Sequence, residues 1–251
     1  MKFIYINRKW KYIVIACLLI AILGGVTTAL PAFSQTPKEA SKPIYRVETN
    51  EKRIAISFDA AWGADKTKEI MDIVESKGAN ATFFLVGFWA EKYPDLVREM
   101  DRRGFEVGNH SSTHPHMGKL SAEQVKTEIS ATNEKIGKII GTQPTVFRPP
   151  FGDYSDTLVN TVRDINMHCI QWDVDSLDWK ELGTQHTVDT VMKKAEKGSI
   201  ILFHNNAKYI LEALPVILDQ LQEKGYEIVS ISELIHQDNY YVDTAGIQHR
   251  R

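Results

Sequence analysis

Cysteine is nearly absent: the chain holds only Cys17 and Cys169. One lies in an N-terminal apolar run and the other in a strand-like run, so no disulfide framework can hold this fold together. The setting of Cys169, inside Met167-His168-Cys169-Ile170-Gln171-Trp172, reads as a buried strand thiol and not as a nucleophile. Also missing is a glycine-rich phosphate loop after the first strand-like run, which counts against nucleotide binding. Positive charge is scarce where a nucleic-acid site would need it. Residues 1–34 hold Lys2, Arg8, Lys9 and Lys11 and no acid; with 30 basic and 32 acidic side chains in all, the rest of the chain carries an excess of six acids. An acidic folded part argues against nucleic acid as a partner. What remains is ordinary globular material, 43% apolar and 25% charged over 251 residues, enough for one large single-core domain.

The N-terminus departs from that average. From Tyr12 to Leu30 the chain runs without a charge behind a basic flank. That is the pattern of an export signal, and the run is also long enough to span a bilayer. Ala32-Phe33-Ser34 offers a small-x-small cleavage site, so residues 1–34 are either a cleaved signal peptide or a retained membrane anchor. Both place the remainder outside the cytoplasm. Residues 35–50, rich in Ser, Thr, Pro, Lys and Glu, read as a linker. Residues 51–236 read as the folded domain and 237–251 as a polar tail.

Within 51–236 short apolar runs alternate with amphipathic ones. Strand-like runs are Ile54 to Phe58, Ala81 to Val86, Phe105 to Gly108, Val146-Phe147, Met167 to Trp172, Ser199 to Phe203 and Tyr226 to Ile231. Helical patterns fall between them, including one from Phe88 to Arg103 across Pro94. Another opens at Ser121 with a capping-box pattern, and a third opens at Ser155 as its N-cap. Alternation of this kind means parallel βαβ units. With about seven units, the expected fold is α/β, a distorted or incomplete (β/α) barrel, with an open doubly wound sheet as the alternative.

In a parallel barrel every strand C-terminus opens on one face, and that face carries the site. The strand ends here supply Asp59; Asn109 and His110, with His114 beyond; Arg148; Asp173, Asp175 and Asp178; and His204. His110 and His114, four apart, can point at one ion if the segment makes a helical turn.

Five segments in this set resemble, in order, the motifs of the polysaccharide deacetylases, a carbohydrate esterase family. They are Ser57-Phe58-Asp59, His110-Ser111-Ser112-Thr113-His114, Arg148-Pro149-Pro150-Phe151-Gly152, Asp175-Ser176-Leu177-Asp178-Trp179 and Leu202-Phe203-His204. The resemblance covers about residues 50–235, and the N-terminal segment and compact size look most like the sporulation-associated Gram-positive branch. It implies a distorted (β/α) barrel and hydrolysis of an acetamide on a sugar of cell-wall glycan, peptidoglycan first. The roles it implies are a divalent metal, zinc first and cobalt or manganese next, on His110 and His114. Asp59 becomes general base, Arg148 its partner, His204 general acid, and Asp175 the group that orients His204 or Arg148. The Phe151 backbone N–H becomes an oxyanion donor, and Trp179 and Leu202 the walls around the acetyl methyl group. A monomer is expected, with the membrane as a partner only if the N-terminal segment is retained. One position departs from the family: Ala60 stands where a second aspartate usually binds the metal. Either Asp59 turns to the metal, or Asp65 reaches back, or the site binds metal poorly. In that last case the chain is a glycan-binding or structural wall protein with impaired turnover.

Overall fold

The structure is a computed structural model and describes residues 41–251. The apolar run Tyr12–Leu30, Cys17 and the 1–34 assignment lie outside the described residues. Among the described residues no helix is long and apolar enough to cross a membrane.

The strands are β1 (Arg46–Val47), β2 (Arg53–Ala60), β3 (Thr82–Leu85), β4 (Glu106–Asn109), β5 (Val146–Phe147), β6 (His168–Cys169), β7 (Val174–Asp175), β8 (Ile200–His204), β9 (Glu227–Val229), β10 (Tyr240–Val242) and β11 (Ile247–Arg250). One sheet runs β6-β5-β4-β3-β2-β8-β7, with β9 also paired to β2, and every pairing in it is parallel. Because β6 and β7 are consecutive in sequence yet stand at its two ends, the sheet curls into an incomplete barrel. This is the expected fold class.

The period of β2 divides two cores. Ile54, Ile56, Phe58 and Ala60 face outward into the layer between sheet and helices. Ala55 faces inward, where Phe84, Val146, Ile170, Ile200 and Val229 fill the barrel beneath the site. Ser57 on the inward face gives its hydroxyl to the Ile201 carbonyl, and Asp59 follows at the mouth.

Local chemistry explains the helix ends. The Ser121 capping box is formed in both directions with Gln124, and the helix Ala122–Ile140 stops at Gly141 in the left-handed region. Ser155 caps Asp156–Asp164 as expected. The single helix expected over Phe88 to Arg103 is two, Gly87–Lys92 and Pro94–Arg102. Proline disfavours helical backbone at the residue before it, and Tyr93 sits at φ −126, ψ 54; Pro94 then starts the second helix, where its missing N–H costs nothing. The strand expected over Met167 to Trp172 is only His168–Cys169, and β7 lies beyond it.

Residues 35–50 and 237–251, read above as linker and polar tail, include the strands β1, β10 and β11. Ile44 and Val47 are buried. Ile44 N–H donates to the Cys169 carbonyl and its own carbonyl accepts from Gln171, while Val47 N–H donates to Gly198. This segment links the residues that follow β6 to the start of β8 and supplies apolar side chains to the inner core. β10 and β11 then pair with each other, and β11 pairs with β1. Polar composition hid both because one short strand carries few buried side chains.

Candidate active site

Parallel strands bring the chosen residues to one cleft of about 620 Å³. Asp59, His110, His114, Phe151, Asp175 and His204 line it, as do Trp179 and Leu202. Arg148 lies beneath, fully buried. Asp173 is not part of it; its carboxylate turns away to accept from the Ser199 hydroxyl and the Ile200 N–H.

One wall is built on Asp59. Its Oδ1 accepts from Arg148 at 2.8 Å, and its Oδ2 faces His110 Nε2 at 3.5 Å. The guanidinium lies over the Phe84 ring at 4.2 Å and also donates to the Gln171 carbonyl. Burial pushes the Asp59 carboxyl up, but its interactions with His110, Arg148 and His204, the Arg148 hydrogen bond included, prevail and hold it below its ordinary range. His110 Nδ1–H donates to the Arg148 carbonyl at 2.7 Å, leaving Nε2 free of that bond and aimed at the carboxylate. Burial pushes both histidines down, His114 to about 4, so both rings are neutral at pH 7.

The two imidazoles do not share a helical turn. Asn109 ends β4, and a loop with Ser111 at φ 68 and His114 at φ 60 carries the rings to centroids 5.1 Å apart. Side chains hold that left-handed path. Glu128, from the helix Ala122–Ile140, accepts from the N–H groups of Ser112 and Thr113 and from the Thr113 hydroxyl, each at 2.8 Å. Asn109 accepts from Ser111 N–H and donates to Ile129 and Asn133. Glu128 is a positioning residue that nothing in the sequence pattern marked.

Beside Asp59, in register with it on the neighbouring strand β8, stands His204. Its Nδ1–H and its backbone N–H both donate to the buried Asp178 carboxylate at 2.8 Å. Burial pushes the His204 imidazole down, but Asp178, followed by Asp59 and Asp175, raises it above its ordinary value. The residue expected to orient His204 or Arg148 was Asp175. Asp175 instead accepts from Leu177 N–H and shapes the turn, and the hydrogen bond to His204 comes from Asp178 three residues on. Phe151 sits at φ 60, ψ 7 in a short turn after the two prolines, with its ring 59% exposed between His114 and His116.

The donor chemistry suits a divalent cation in kind: two neutral imidazoles, and a carboxylate oxygen facing a ring nitrogen with no proton shared between them. The number falls short. Among the described residues no three His, Cys, Asp or Glu side chains are grouped to hold a metal ion. Asp65 is exposed on its loop and does not line the cleft. Ala60 has its side chain in the outer core, and Ala61 is the neighbour that lines the cleft.

Known proteins resemble the chain in sequence and in fold. Residues 46–170 match the family described as polysaccharide deacetylase. Peptidoglycan-N-acetylmuramic acid deacetylase PdaC of Bacillus subtilis is 36% identical over 198 residues, 79% of this chain and 41% of that protein. A peptidoglycan-N-acetylglucosamine deacetylase of Bacillus cereus is 33% identical over 196 residues, 76% of this chain and 92% of that protein. The crystal structure of wild-type BA3943, a CE4 family pseudoenzyme from Bacillus anthracis, superposes with a TM-score of 0.75 at 33% identity over 84% of this chain and 74% of that one. The chain thus spans less than half of PdaC and nearly all of the B. cereus enzyme, and it belongs to the polysaccharide deacetylase family.

Proposed function

We propose that the chain hydrolyses N-acetyl groups from amino sugars of cell-wall glycan, peptidoglycan first, outside the cytoplasm. The observation that carries this reading is a pair of groups in register on neighbouring strands: a carboxylate held by Arg148 and an imidazole whose Nδ1–H donates to Asp178, which raises it above its ordinary value. Amide hydrolysis needs a base for water and an acid for the leaving amine at once.

Asp59 takes a proton from water as the water oxygen attacks the acetamide carbonyl. The backbone N–H of Phe151 faces the developing oxyanion. His204 gives its Nε2 proton to the sugar nitrogen as the C–N bond breaks, leaving acetate and a free amine. Trp179 and Leu202 enclose the methyl group. His110 and His114 would hold a divalent ion, zinc first, with cobalt or manganese as alternatives, and that ion would supply polarisation of the carbonyl and a lowered pKa of water. The likeness to the sporulation-associated branch extends this proposal to spore wall glycan.

A second reading has its own support. Ala60 removes a carboxylate, and a relative of similar fold is described as a pseudoenzyme, so a wall-binding protein with little turnover fits the same frame. Acetate release by the purified protein on N-acetylated oligosaccharides and on peptidoglycan, with zinc, cobalt or manganese added in turn, separates the two. Metal-stimulated release that His110→Ala abolishes is the expected result. Glycan binding with no release under any metal establishes the second reading instead.

A further inference from the structure

Trp62 is used by none of the roles above, yet it lines the same cleft with 58% of its surface in water. Its loop is anchored. The Gly63 carbonyl accepts from Trp89 Nε1 at 2.7 Å and from Asn205 Nδ2 at 2.9 Å, and both donors are buried. Gly63 itself is at φ 67, and a Cβ there would meet Asn206 Cβ at 3.3 Å, so the turn runs close against the loop after β8. An exposed indole is thereby held in one place. Its ring meets His114 edge-on at 4.8 Å and Phe88 at 6.4 Å. Phe88 is 38% exposed, and exposed Asn206 lines the cleft beside the turn.

A fixed, half-bare aromatic plate with a carboxamide at its border matches a pyranose ring, which has an apolar C–H face and a rim of hydroxyls. The plate stands at the mouth, next to the histidine pair and not on the floor where the acetamide must enter. We propose that Trp62, with Phe88 beside it, is a substrate-positioning residue that stacks a sugar flanking the one whose acetamide enters the cleft. This selects oligomeric glycan over a single amino sugar. The proposal rests on the glycan reading above.

The test compares N-acetylglucosamine with its β-1,4-linked tetramer, on the wild-type protein, Trp62→Ala and Trp62→Phe. Binding is read by titration calorimetry and turnover by acetate release. The expected result is that the tetramer's affinity advantage over the single sugar falls about tenfold in Trp62→Ala and largely returns in Trp62→Phe. In turnover the loss falls on KM more than on kcat. An unchanged advantage in Trp62→Ala overturns the proposal, as does a wild-type protein that binds no glycan. A lowered advantage without acetate release leaves the proposal standing and counts against the deacetylase reading alone. Release with an unchanged advantage does the reverse.

Discussion

Two histidines of this chain sit between carboxylates, one at each end of the fold. His204 at the mouth donates to Asp178, whose side chain is 2% exposed. His249 in β11 donates to Glu48 at 2.7 Å and to Asp243 at 3.0 Å, where Glu48 is 68% exposed. Both are raised above the ordinary histidine value. For His204 burial opposes the shift and Asp178 overcomes it, whereas for His249 the hydrogen bonds to Asp243 and Glu48 act with little opposition. The residue types are alike, but the carboxylate that holds His204 is buried, whereas Glu48 beside His249 stands in water. Screening by water makes an exposed ion pair worth little, whereas a buried one is costly to break. The mouth is therefore suited to proton chemistry and the β1–β11–β10 clasp to modest closure.

The strongest way to sharpen that contrast is Arg148→Met. It strands the Asp59 carboxylate in a buried site, and a loss of about 3–5 kcal/mol in urea unfolding is expected, together with loss of acetate release. An exposed-pair cost below about 1 kcal/mol would mean that the mouth is as wet as the clasp.

Asp178→Asn comes next. It removes the charge that raises His204, and acetate release is expected to fall by about 10²–10⁴-fold. The pH profile supplies the sign. His204 must be protonated to act as acid, so wild-type rate falls as pH rises through its raised pKa. In Asp178→Asn that limb moves to lower pH. Asp175→Asn, lacking the hydrogen bond to the ring, is expected to move it less; equal shifts would return the orienting role to Asp175.

Gly198→Ala probes the seam where the N-terminal segment meets the start of β8. Gly198 is at φ 78, and a Cβ there would lie 1.8 Å from the Val47 carbonyl oxygen. About 3 kcal/mol of destabilisation is expected from thermal or urea unfolding. A neutral result would show that residues 41–47 are dispensable to the folded unit.

The smallest effect belongs to His249→Ala, below about 1 kcal/mol. Its raised pKa gives a contribution fully present below the ordinary histidine value and lost as pH rises through the folded value. Asp243 adds the opposite limb: burial pushes it up, His249 prevails and lowers it, and its contribution is lost as pH falls through that lowered value. The difference between wild type and His249→Ala should therefore be greatest between those two limits.

Much of the mouth was legible because strand ends are local. Asp59, His110, Arg148 and His204 each directly follow or end an apolar run, and a parallel sheet brings such ends together whatever their sequence separation. Asp178 was legible as a motif residue but not as the partner of His204, since choosing between it and Asp175 depends on the turn at Leu177, a non-glycine residue at φ 57. Glu128 was invisible because one carboxylate on a helix surface looks like any other until a loop arrives beside it. The clasp was read as linker and tail because its strands are short and polar.

From sequence alone follow the parallel α/β order, the helix caps at Ser121 and Ser155, and the set of polar groups at the mouth. Each depends on periodicity or on neighbours within a few residues. Only the tertiary structure decided that Ala60 faces the outer core, that Asp178 holds His204, and that Trp62 is fixed over His114. It also decided that residues 41–47 link the residues after β6 to the start of β8. These depend on hydrogen bonds and contacts between segments far apart in sequence, whose partners and directions no local pattern encodes.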